Sequence, residues 1–138
     1  MPPSPTRHRL ALALALAGIA LSALALDVHR RLAAGSGYTS FCNLGGVVNC
    51  DAVLGSRYSV VLGVAVPAWG IAGFAAGAAL ALPGALAASA GGLADLLLLG
   101  LASASLGFAL VLGGAMMALG SVCLLCLGLD AIILAWFV

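Results

Sequence analysis

Four apolar stretches of the chain are long enough to matter: Leu10 to Leu26, Val60 to Leu82 and about Leu96 to Leu119, which carry no charge, and Val122 to Val138, which carries only Asp130. At the helical rise the first measures ~26 Å, just enough to cross a hydrocarbon core. Its Leu-Ala alternation has the period of a strand, but no polar face accompanies it and its length favours a helix. The second contains Pro67 and several glycines, which a bilayer helix tolerates when neighbours re-satisfy the freed backbone groups. Pro83-Gly84 and the small-residue stretch Ala85 to Ala94 separate it from the third, whereas little more than Gly120-Ser121 parts the third from the fourth. The pattern predicts an all-α membrane protein: a four-transmembrane-helix bundle, with helices at about 10–26, 60–82, 96–119 and 122–138, forming one domain over 1–138. The only substantial polar segment is the loop 27–59 between helices one and two, so the chemistry is expected there first.

Composition sharpens this. Hydrophobic residues make up 64% of the chain and charged ones 7%, whereas soluble domains carry roughly 25% charged residues. Lysine and glutamate are absent, and every formal charge comes from five arginines and four aspartates. A net charge of +1 supplies no basic field for nucleic acid. Arg7-His8-Arg9, the apolar run and the small residues near Ala23-Leu24-Ala25 also fit a secretory signal peptide, but the run is longer than the ~7–15 residues usual there, so a retained helix is expected. His8 and His29 flank the first helix and read as interfacial polar residues.

Cysteine placement fixes the topology better than the arginines do. Cys42 and Cys50 lie between helices one and two, and Cys123 and Cys126 at the junction of helices three and four, so an even number of spans separates the pairs and all four face one side. Redox work would put that side outside the cytoplasm. Cys123-Leu124-Leu125-Cys126 opens an apolar helix, with Ser121 available as N-cap and the positive end of the helix dipole beside the sulfurs, a setting that makes a thiolate available. The plainer reading is two small, soft residues packing in a membrane helix. Cys42-x7-Cys50 sits in a glycine-rich loop too flexible to be a core element, and alone it reads as one structural disulfide. Together the pairs form a relay for thiol–disulfide exchange. Zinc is the other chemistry four cysteines perform, but seven intervening residues are wrong for a knuckle and no histidine helps, so no metal site is expected.

Cys42-x7-Cys50, then Ser56 six residues past the second cysteine, then Cys123-x2-Cys126 opening the last helix, resembles the vitamin K epoxide reductase family over nearly the whole chain. Gly63 to Gly70 is similar to that family's glycine-flanked entry to helix two, although the family has its proline where Ala65 stands. The resemblance implies a bundle enclosing a quinone of ubiquinone, menaquinone or vitamin K type, with the last-helix pair facing the ring and the loop pair facing outward. Cys126 would be next to the quinone, Cys123 its disulfide partner and the one reachable by Cys50. Cys42 and Cys50 would exchange with a thioredoxin-fold protein at the outer face of a bacterial inner membrane. Many bacterial members carry that domain fused at the C-terminus; with the chain ending at Val138, a separate partner is expected. Ser56 would donate a hydrogen bond near the active pair or the quinone carbonyl, its rival role being a helix-end serine bonded to backbone.

One position departs from the resemblance. Where the animal enzymes have a tyrosine close to the quinone, four residues past the second cysteine of the C-x-x-C, this chain has Asp130. Positions 123, 126 and 130 share a helix face, with Asp130 about 10 Å deeper than Cys123. An ionisable group at that depth is a functional-site hypothesis by default. It is read either as a proton relay or hydrogen-bond donor to a quinone, or as a carboxyl bonded to another helix. Trp69 and Phe108 are read as packing or interface anchors rather than as site residues. The leading expectation is a quinone-coupled thiol oxidoreductase; the rivals are a soft-metal carrier using paired thiolates and a non-catalytic protein stapled by one loop disulfide.

Overall fold

The computed structural model describes residues 5–35, 37–82 and 92–137. The expected break at Pro83-Gly84, most of the small-residue stretch after it, and the side chain of His8 lie outside the described residues. In chain order come α1 (Pro5–Ala33), a hairpin of β1 (Asn43–Gly45) and β2 (Val48–Asn49), the short helix α2 (Cys50–Leu54), a 3-10 turn at Arg57–Ser59, a second hairpin of β3 (Val60–Val61) and β4 (Val64–Ala65), then α3 (Val66–Leu80), α4 (Leu93–Leu119) and α5 (Leu124–Phe137). The four long apolar helices form the expected bundle. From Arg9 in α1 and Leu96 in α4, the helices are long and apolar enough to cross a membrane by length and composition. The 15 residues of α3 and 14 of α5 reach only ~22 Å, short of a ~30 Å hydrocarbon core.

Two boundaries differ most from the sequence expectation. α1 does not stop at Leu26 but carries Asp27-Val28-His29-Arg30-Arg31 through to Ala33. Val28 is buried, Arg31 Nε donates to Asp27 Oδ2 one turn back at 2.9 Å, and the two arginines lie in the last turn, where cations complement the helix dipole. The exposed ion pair itself adds little; Val28 burial and the His29 contact described below hold the extension down. The second helix begins at Val66 rather than Val60, because Leu62 and Gly63 both take positive φ (54° and 78°) and turn the chain into a two-residue hairpin. Pro67 then falls in the first turn of α3, where its missing N–H costs no helix bond.

Glycines decide which helices touch. A Cβ on Gly18 would press into the Phe74 ring, one on Gly70 would lie 2.7 Å from Ser22 Oγ, and one on Gly77 would collide with Trp136. The Gly70 to Gly77 series therefore packs α3 against α1 and α5 within one chain, as small residues allow in lipid. Trp136 closes this side, stacking obliquely on Phe74 at 5.9 Å and donating Nε1–H to Ala11 O at 3.1 Å. α4 is different: its most apolar eighteen-residue stretch buries no residue, against 28% for α1.

Candidate active site

The polar loop is more ordered than its glycines suggest. Cys42 and Cys50 form a disulfide, Cα–Cα 5.7 Å, across a hairpin whose register pairs Asn43 with Asn49 and Gly45 with Val48. Asn49 caps α2, its Oδ1 accepting Ala52 N–H at 3.0 Å. Asp51, one residue past the disulfide, gathers the strand that precedes it: both carboxylate oxygens accept Ser40 N–H (3.2 and 3.1 Å), and Oδ2 accepts from Asn43 Nδ2 at 3.1 Å. Partial burial favours the neutral carboxyl, but the hydrogen bonds from Ser40 and Asn43 prevail and hold Asp51 below its ordinary value of 3.8. The loop pair was expected to face outward on a segment too mobile for a core. Instead Cys42 and Cys50 are both buried, and the hairpin exposes Phe41, Leu44 and Val47 above them. The physical reason lies in the polar partners: disulfide, Asn cap, Asp51 network and the bonds to Val122 satisfy polar groups of the loop, so its cysteines can join the core.

The second pair lies directly beneath. Asn49 N–H donates to Val122 O at 3.0 Å and Val122 N–H to Val47 O at 2.7 Å, a parallel bridge clasping the disulfide hairpin to the residue before Cys123. Cys50 and Cys123, each fully buried, and Cys126 belong to one core cluster. Cys123 and Cys126 are free thiols. Ser121 is not the N-cap of α5: after Gly120 (φ 61°) its N–H closes the end of α4 on Met116 O, while Gly120 N–H bonds Met117 O. The cap is Cys123 itself, whose Sγ accepts Cys126 N–H at 3.3 Å while its carbonyl accepts Leu127 N–H. The first sulfur is thus tied to the backbone of the second cysteine.

A cavity of about 260 Å³ opens on the far side of Cys126, between the α1–α3–α5 side of the bundle and α4. Cys126 and Asp130 form its α5 wall; Cys123 is not on it. Trp69 and Phe108, read from sequence as packing or anchors, stand in its lining with Phe74, and Gly70 and Gly73 keep the α3 wall thin. An apolar slot between aromatic rings, with a thiol at its side and few polar groups, fits a flat quinone ring. Ser56 is not on the wall: its Oγ donates to Val53 O at 2.7 Å, the helix-end role, closing α2. Ser59, which the sequence reading passed over, is buried and does line the cavity. So did the reading pass over Asp51, although Ser40 and Asn43 on either side of Cys42 were a legible set of donors for it. Among the described residues no three metal-ligating side chains converge.

Comparison with known proteins agrees with this geometry. The model of the vitamin K epoxide reductase family matches residues 9–138. No individual curated protein matches the chain. With all but its first eight residues matched, the chain belongs to the vitamin K epoxide reductase family, and is a membrane oxidoreductase that works with a quinone.

Proposed function

We propose that this vitamin K epoxide reductase family member generates disulfides, passing electrons from a thioredoxin-fold thiol partner through Cys42/Cys50 and then Cys123/Cys126 to a membrane quinone of ubiquinone, menaquinone or vitamin K type, with the cysteines on the extracytoplasmic side. The observation that carries the reading is the placement of four clustered sulfurs: Cys126 lines the cavity and Cys123 does not, while Val122, the residue before Cys123, is clasped to the hairpin that leads into Cys50.

The exchange runs as follows. A partner thiolate attacks Cys42, breaking the loop disulfide and releasing Cys50; the partner's second thiol resolves the mixed disulfide, leaving Cys42 and Cys50 reduced and the partner oxidised. Cys50 attacks Cys123 of a Cys123–Cys126 disulfide and releases Cys126. Cys42 then attacks Cys50, restoring the loop disulfide and freeing Cys123. Bridged Cys42–Cys50 beside free Cys123 and Cys126 is the arrangement the chain adopts here, one step before the last-helix pair closes. A quinone against Cys126 accepts the two electrons and two protons released on that closure. Asp130, one turn deeper on the same wall, exchanges protons with the ring; turnover of Asp130→Asn equal to wild type would sink that role. The reading as a whole is tested by quinone reduction in detergent, with a reduced thioredoxin-like donor, for wild type and Cys126→Ala. Turnover in the first and none in the second is expected; no wild-type turnover with several quinones and donors overturns the reading.

A further inference from the structure

We propose that Ser59, held from behind by His29, donates a hydrogen bond to a quinone carbonyl, the place that the family resemblance implies for Ser56. The inference rests on reading the cavity as the quinone site and assigns to it a donor outside both cysteine pairs. Ser59 is 4% exposed and stands on the cavity wall. A buried hydroxyl facing an apolar slot is costly unless it has partners, and those of Ser59 are arranged so that one can be exchanged. Its Oγ donates to Ser56 O at 2.7 Å. That carbonyl also accepts Ser59 N–H at 3.1 Å, so it keeps a donor when the hydroxyl hydrogen swings into the cavity.

Behind the hydroxyl stands His29. Its Nδ1 is 2.7 Å from Leu54 O and 3.3 Å from Ser59 Oγ. Since Leu54 O only accepts, the proton is assigned to Nδ1, which shares it between the carbonyl and the serine oxygen. A hydroxyl that accepts such a bond is a stronger donor through its own hydrogen. A carbonyl oxygen gathers negative charge as electrons arrive from Cys126, so a fixed donor there stabilises the transition state more than the bound quinone. His29 is a positioning residue: it acts through Ser59. The arrangement also explains why the polar end of α1 stays helical to Ala33, since unwinding at Asp27 would carry His29 away from α2.

The test uses the purified full chain in detergent, a reduced dithiol donor and a short-chain ubiquinone. Ser59→Ala should lower kcat/KM for the quinone about tenfold, the effect of one lost hydrogen bond at the upper end of its range. Ser59→Thr, which keeps the hydroxyl, should recover it. His29→Leu should reproduce the Ser59→Ala loss, and His29→Asn, which can still present an N–H, should recover most of it. The rate at which the donor reduces the Cys42–Cys50 disulfide, trapped by alkylation, should be unchanged in Ser59→Ala. A kcat/KM within twofold of wild type in Ser59→Ala overturns the proposal, as does an equal fall in disulfide reduction, which would mark a merely structural serine. Failure of the cavity reading looks different: turnover would then be insensitive to Cys126→Ala in the wild-type background.

Discussion

The two cysteine pairs lie against each other and are held by opposite means. Cys42 and Cys50 are fixed by polar chemistry: a covalent bridge, the Asn49 cap, and an Asp51 carboxylate gathering Ser40 and Asn43. Cys123 and Cys126 are fixed by the end of a helix, with one sulfur accepting the other cysteine's N–H, and by apolar packing against Leu125 and Met116. The first scaffold loses its covalent member when its disulfide is reduced, because the bridge is part of it. The second is held by that hydrogen bond and packing with both thiols free, and no covalent bridge is part of it. That contrast suits a relay in which the outer pair must move to meet a partner and the inner pair must stay in register with a cavity. It also means that the burial of Cys42 and Cys50 belongs to the oxidised loop.

Breaking the contact between the pairs should have the largest effect. Cys50→Ser removes the thiol proposed to attack Cys123, so turnover driven by a thioredoxin-like donor should fall to background. A small dithiol that can reach the last-helix pair should still support quinone reduction, and equal loss with both donors would refute the separation of roles. Weakening the clasp should do less. Val122→Pro deletes the N–H that bonds Val47 O at 2.7 Å while leaving Val122 O for Asn49. Losing one hydrogen bond of ~1 kcal/mol should speed reduction of the loop disulfide by an external thiol about fivefold, and an unchanged rate would show that the hairpin opens without leaving Val122.

How much of this was legible in the chain follows the same division. The bundle was, because long apolar runs have one stable fate in lipid; the third run, 96–119, lies within a helix of Leu93–Leu119. The start of α3 was not, since Val60 to Leu82 is uninterrupted in hydropathy and only the backbone conformation at Leu62-Gly63 cuts it. The four cysteines, their grouping and Asp130 were visible as residue types at spacings. The burial of the loop pair was not, because it depends on long-range polar partners, Ser40 with Asp51 and Val47 with Val122, that no local window contains. Ser56 and Ser59 illustrate the limit: three residues apart on one 3-10 turn, one bonds its own helix end and the other faces the cavity. The family resemblance pointed to the first, beside an equally weighted helix-end role, and geometry favours the second.

The smallest expected effect isolates the polar half of the comparison. Asp51 is held below its ordinary value of 3.8 in the folded loop, so it binds its proton less readily there than in an opened or unfolded one. Its contribution to loop stability is therefore complete above the ordinary value and is lost as pH falls through the lower folded value. Hydrogen exchange of the Ser40 and Asn43 amides, followed from neutral pH down through that window and corrected for the intrinsic pH dependence of exchange, should show protection falling only below the ordinary carboxylate range. Asp51→Asn keeps a similar shape but loses the charge, so its protection should be lower at neutral pH and should not change across the acid window. The inner pair is held by a helix end and apolar packing rather than by a carboxylate that accepts backbone N–H groups, and amides of α5 around Cys126 should keep their protection while that of Ser40 falls. If those amides lost protection together with Ser40, the two pairs would be one cooperative unit, and the outer pair could not open while the inner one stayed in place.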